Sequence, residues 1–187
     1  MLARLHRLAF LEQSLCLAAA ASALLLAGAL VFEHGFGYAP CPLCLDQRGA
    51  HWAALFIAVA GLSAHFVARA RLAAAAAAGA LALVYAVSAG MAFFHTGVEF
   101  GYWPGPASCA GGGAVLDAGS LGAALGERPK GPSCSEAAWR FLGVSMAGYN
   151  LVASAGLFAL TVAAALFAAR AERERRRADS ARNGSAA

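Results

Sequence analysis

The sequence predicts an all-α membrane protein: a four-transmembrane-helix bundle with both termini cytoplasmic and two outer loops. Three observations predict it. Of 187 residues, 60% are hydrophobic and only 13% charged, about half the charge of a soluble domain. Four apolar stretches approach or exceed the roughly 20 residues needed to cross a bilayer. The basic residues, net +4 overall, concentrate on one side of those stretches. The same composition excludes a disordered chain and a basic nucleic-acid binder. The bilayer is the expected partner and nucleic acid is not.

The first span is expected at about 14–32, the second at 49–68, the third at 72–94 and the fourth at 142–169. The first is longer than a signal-peptide core, and Pro40 would follow directly on the small residues of a cleavage site, so a retained span is expected. Four spans place both termini on one side, and the positive-inside rule names it. On that side lie Arg4, Arg7, Arg69, Arg71, Arg170, Arg173, Arg175, Arg176, Arg177 and Arg182; on the other lie Arg48, Arg128, Lys130 and Arg140. Residues 1–170 therefore form one membrane domain, and 171–187 a charged cytoplasmic tail expected to be frayed. The loops facing the outer compartment are 33–48 and 95–141. No internal repeat, GxGxxG, P-loop or HExxH occurs.

Four of the five cysteines fall in those loops. Cys41 and Cys44 form a CxxC in the short one; Cys109 and Cys134 lie in the long one; Cys16 is alone in the first span. A compartment outside the cytoplasm favours disulfides. A CxxC ring gains little loop-closure entropy, so it suits a reversible redox switch better than a staple. A Cys109–Cys134 bond would close a loop of about 26 residues, stabilising by roughly 3–4 kcal/mol in a chain-entropy treatment. Taken alone, that bond reads as structural.

Cys44 lies near the start of the second span, where a helix N-terminus favours thiolate. Arg48, four residues on, shares its helical face. Its cation can favour the thiolate or hold the oxygen of an electron acceptor; it can equally mark the head-group level. A dithiol that closes to a disulfide releases two electrons and two protons. With no flavin, nicotinamide or haem signature, a lipid quinone is the natural acceptor beside a membrane.

Three segments then carry a resemblance: CPLCLDQR at Cys41–Arg48, FFHTGVEFGYWPGPASC ending at Cys109, and PSCSEAAWRFLGVSMAGYN starting at Pro132. In this order and on this topology they resemble the DsbB family of bacterial inner-membrane disulfide-forming proteins. In that family the DsbA–DsbB–quinone system keeps the periplasm oxidising. The resemblance implies a quinone-dependent thiol oxidase whose outer loops are periplasmic. Cys41, Cys44, Cys109 and Cys134 match its catalytic cysteines. Cys44, Arg48 and His95 match its quinone-site residues, with ubiquinone or menaquinone from the membrane pool as cofactor. Cys109 matches the cysteine that meets a periplasmic DsbA-like thiol oxidase, with Cys134 as its resolving partner. Gly111–Gly113 would supply mobility beside Cys109, or a plain flexible loop.

The remaining residues have plainer expectations. Cys16 reads as a small buried apolar residue. His34, His51 and His65 read as interface or packing residues, and no metal ligands are expected. Trp103 and Trp139 read as head-group anchors, and Asn150 as a hydrogen-bonding contact to a neighbouring helix. Glu99 and Asp46 read as solvated loop carboxylates rather than proton relays. Three rivals stand beside the redox enzyme: a Cys-ligated metal-binding membrane protein, a membrane protein whose disulfides only brace a loop, and a related thiol oxidoreductase resembling vitamin K epoxide reductase.

Overall fold

The computed structural model describes residues 2–109 and 132–184. Helix α1 spans Leu2–Leu30 and ends in a π turn at Val31–Gly35. Helix α2 spans Pro42–Phe66, α3 Arg71–Glu99 and α4 Met146–Gly184. All four are long and apolar enough to cross a membrane. Each of α1 and α3 packs on both α2 and α4, while α1 and α3 meet more thinly across the bundle.

Small residues let these helices approach. The core joins Leu11, Leu15, Ala18, Ala54, Ala58, Ala74, Ala78, Leu81, Tyr85, Leu157 and Ala164. Lipid tails are as apolar as leucine, so close backbone packing rather than hydrophobic sorting holds such helices together. Larger apolar side chains point outward, among them Phe56, Leu83 and Val152. Cys16 joins them on the outer face, against the expectation that it is buried.

The helix ends differ from the apolar windows in instructive ways. α2 starts at Pro42 rather than near Gly49. Cys41 is its N-cap and proline occupies the first turn, where a missing N–H costs nothing. α3 runs on to Glu99. α4 begins only at Met146, because residues 140–145 form a hairpin of two short antiparallel strands, β1 (Arg140–Phe141) and β2 (Val144–Ser145). Its two-residue turn needs positive φ at both positions, and Leu142 (49°) and Gly143 (80°) supply it. The tail expected to fray is instead helical to Gly184. Pairs of Arg176 with Glu172 and of Arg182 and Arg175 with Asp179 line its surface at helical spacing.

Candidate functional site

The end of α1, the start of α2, the end of α3 and the start of α4 meet at one end of the bundle, and all four redox-candidate cysteines lie there. Cys41 sits at the N-cap of α2 in extended geometry, and its sulfur accepts the Cys44 backbone N–H at 3.2 Å. The helix terminus thus acts on Cys41, not on Cys44 as the spacing suggested. Cys41 and Cys44 are disulfide-bonded, with Cα atoms 5.1 Å apart. Cys109 closes a 3-10 turn after α3 and is bonded to Cys134, with Cα atoms 5.3 Å apart. Both spacings are ordinary for disulfides.

The two bonds are not separate features. Cys41, Cys109 and Cys134 are buried in one cluster with Val98, and Leu43, Cys44 and Trp103 pack against it. The Cys41 and Cys134 sulfurs and a ring nitrogen of His95 all lie within 4.8 Å of one another. Gly97 admits the Trp103 ring to this cluster: a Cβ there would fall 2.0 Å from the indole. Trp103 donates its indole N–H to the Phe94 carbonyl at 2.8 Å. It therefore closes the cluster against α3.

His95 is the hub between helices. Its Nε2 stands 3.7 Å from Cys41 Sγ and 3.8 Å from a Glu99 carboxylate oxygen. Its Nδ1 meets the Gln47 side-chain amide nitrogen at 2.8 Å. From Gln47 a buried polar chain runs down the bundle. Asn150 donates to Gln47 at 2.6 Å and contacts His51 at 2.7 Å. His51 then contacts Ser22 at 3.2 Å, and Ser22 contacts Tyr85 at 2.8 Å. Tyr85 donates to the Ala18 carbonyl, which ends the chain. With Gln47 donating to Nδ1, the neutral imidazole carries its proton on Nε2, facing Cys41 and Glu99. Every side chain in this chain crosses from one helix to another, so it locks ring orientation as well as tautomer.

Arg48 points elsewhere than expected. Its guanidinium pairs with Glu33 of the π turn and donates to the Ala29 carbonyl at 3.1 Å. No contact with Cys44 sulfur accompanies these among the described residues, yet Arg48 and Cys44 line the same cavity. That cavity has a volume of about 730 Å³. Leu24, Leu25, Leu26, Gly28, Phe32, Trp139, Met146 and Ala147 make its apolar wall. Cys41, Cys44, Gln47, Arg48, His51, His95, Glu99 and Asn150 converge on it as polar groups. An apolar slot with a few convergent polar groups suits a flat ring on an apolar tail.

The sequence-predicted residues Cys41, Cys44, Arg48, His95, Cys109 and Cys134 come together here. Gly111–Gly113 lies outside the described residues. One expectation fails. Glu99 is not a solvated loop carboxylate: its side chain is 4% exposed. Of the two roles expected for His51 it takes the packing one, buried in the polar chain. Trp139 lines the cavity, against Phe32 and stacked on Phe141. Asn150 does bond to a neighbouring helix, as expected. Glu33 and Gln47 went unnoticed. Glu33 had a signal, an acidic residue at the end of an otherwise apolar stretch, which is costly in a membrane unless paired. The π turn that carries it belongs to a class of distortion frequent at functional sites.

A model of the family described as disulfide bond formation protein DsbB matches residues 12–164, most of the chain and all of the site. No curated protein and no solved structure matches.

Proposed function

The chain belongs to the DsbB family of membrane disulfide-bond formation proteins, and on that premise we propose that it is a quinone-dependent generator of protein disulfides. In this reading it reoxidises a periplasmic DsbA-type thioredoxin-fold oxidase and delivers the electrons to ubiquinone or menaquinone in the bacterial inner membrane. Both termini then lie in the cytoplasm, residues 1–170 form the membrane domain, and the cysteine loops face the periplasm. One observation carries the reading: two disulfides share a buried cluster that adjoins a large, mostly apolar cavity.

The route follows from which sulfurs are neighbours. A thiolate of the reduced partner attacks Cys109 and releases Cys134. The partner's second thiol then leaves with the new disulfide, and both loop cysteines are reduced. Cys134 stands next to Cys41, so its thiolate attacks that sulfur and expels Cys44 as thiolate. Cys109 then attacks Cys134, closing the loop disulfide again and freeing Cys41. Each step is a thiolate–disulfide exchange. Two donors favour negative charge on Cys41: the Cys44 backbone N–H and the His95 Nε2–H.

A quinone, when bound, supplies a two-electron, two-proton sink. The residues that would hold it are Arg48 and His95 at the polar end and Phe32, Trp139 and Met146 along the apolar wall. Cys44 lines the cavity and would be the donor of the electron pair, with Cys41 as the thiol that would close the CxxC disulfide. Arg48, tied to Glu33, offers a guanidinium fixed in place for a developing oxyanion.

The test is loss of quinone absorbance by the purified protein in detergent, with a reduced thioredoxin-fold dithiol as donor. Catalytic loss that needs both cysteine pairs supports the reading. A Cys-ligated metal site is the second reading, because Cys41, His95 and Cys134 offer three clustered donor atoms. Tightly bound zinc in the purified protein, with no quinone turnover, would favour it.

A further inference from the structure

Quinone reduction takes up two protons as well as two electrons, and the exchange route above accounts only for the electrons. We propose that Glu99 is the proton donor to the quinone oxygen, an inference that rests on the quinone reading.

Three observations carry it. The Glu99 side chain is 4% exposed, yet it lines the same cavity as Cys44 and Arg48. One carboxyl oxygen, Oε2, is buried with no hydrogen-bond partner among the described residues. Buried polar atoms are nearly always paired, so an orphan on a cavity wall marks a group with work to do there. The other oxygen, Oε1, stands 3.8 Å from His95 Nε2, the N–H that also faces Cys41. A carboxylate formed by giving up the proton thus faces the His95 N–H.

The balance is as follows. Two S–H bonds, of Cys41 and Cys44, are lost and one S–S bond forms. The quinone gains the electron pair and two O–H bonds. Glu99 gives one of those protons from its carboxyl group and water at the outer face gives the other; the same water recharges Glu99 and takes up the two thiol protons, so no proton is gained or lost overall. His95 holds its Nε2–H between the sulfur and the carboxyl, and the buried Gln47–Asn150–His51 chain fixes it there. His95 is in this scheme a positioning residue for Glu99.

The experiment uses the full chain in detergent with a short-tailed ubiquinone and a reduced thioredoxin-fold dithiol. Infrared difference spectra on adding the quinone alone should show a protonated-carboxyl C=O band that Glu99→Gln abolishes. In turnover, Glu99→Gln should lower kcat by about 10²-fold, the low end for loss of a general acid. KM for quinone should stay within about twofold, since ground-state binding is untouched. Glu99→Asp should recover part of the rate, which a fold defect in Glu99→Gln would not allow. Glu99→Gln turning over at the wild-type rate would overturn the assignment while leaving the quinone reading intact. So would a rise in KM with kcat unchanged and no carboxyl band, the mark of a structural role. A wild-type protein that neither binds nor reduces the quinone would overturn both.

Discussion

The two ends of the bundle are built from different materials. At one end the helices bury Gln47, His51, His95 and two disulfides, and link them by side-chain hydrogen bonds across three helices. At the other, alanine and leucine dominate the core, buried Ser14 and Thr161 bond only to carbonyls of their own helices among the described residues, and charged side chains pair between Glu12 and His65 and along the exposed tail of α4. Polar groups inside a membrane protein are expensive and tend to be kept for function. Their concentration at one end is therefore the physical mark of the working end. The far end holds the helices together and anchors them.

The sharpest way to break this comparison is through sulfur. Cys44→Ala and Cys109→Ala should each abolish quinone-coupled turnover, whereas Cys16→Ala, on the outward face, should leave it unchanged. A dead Cys16→Ala variant with intact fold would move the redox chemistry away from the loop end. Next in size is Arg48→Ala, which should raise KM for quinone with a smaller effect on the transfer between cysteine pairs. Glu33→Ala should follow it in direction, because the guanidinium loses its tether. Unchanged quinone dependence in both variants would remove this pair from the site.

Asn150→Leu tests the buried chain itself. It takes the Asn150 partner from the Gln47 carbonyl and from His51 Nε2, at about 1–3 kcal/mol per orphaned group. Thermal unfolding in detergent should report the loss. Gly97→Ala forces the Trp103 ring off α3 and should cost about 1–3 kcal/mol as an overpacked contact, read by the same assay. The smallest effect belongs to the opposite end. Arg176→Ala removes an exposed pair with Glu172, and the stability change should stay below about 0.5 kcal/mol.

Much of this architecture is legible in the residues. Four spans follow from apolar length, and the CxxC with Arg48 four residues on announces a redox pair near a helix start. Helix ends are harder. Asp46, Gln47 and Arg48 depress hydropathy, so an apolar window places α2 seven residues late, although Pro42 after a capping cysteine marks the true start. Burial is harder still. Glu99 and His51 have nothing in their neighbours along the chain to separate them from solvated residues. Only the approach of α3 to the hairpin, and of α2 to α1 and α4, encloses them. Asn150 could be read because an amide within an apolar helix has few options other than a neighbouring helix.

Cys41 caps the start of α2, and its sulfur takes the hydrogen bond that a serine or aspartate oxygen would take at an ordinary helix start. In the cycle proposed above, electrons would therefore come and go through the very atom that caps the first turn of a membrane helix, so that one sulfur would serve the chemistry and the scaffold together.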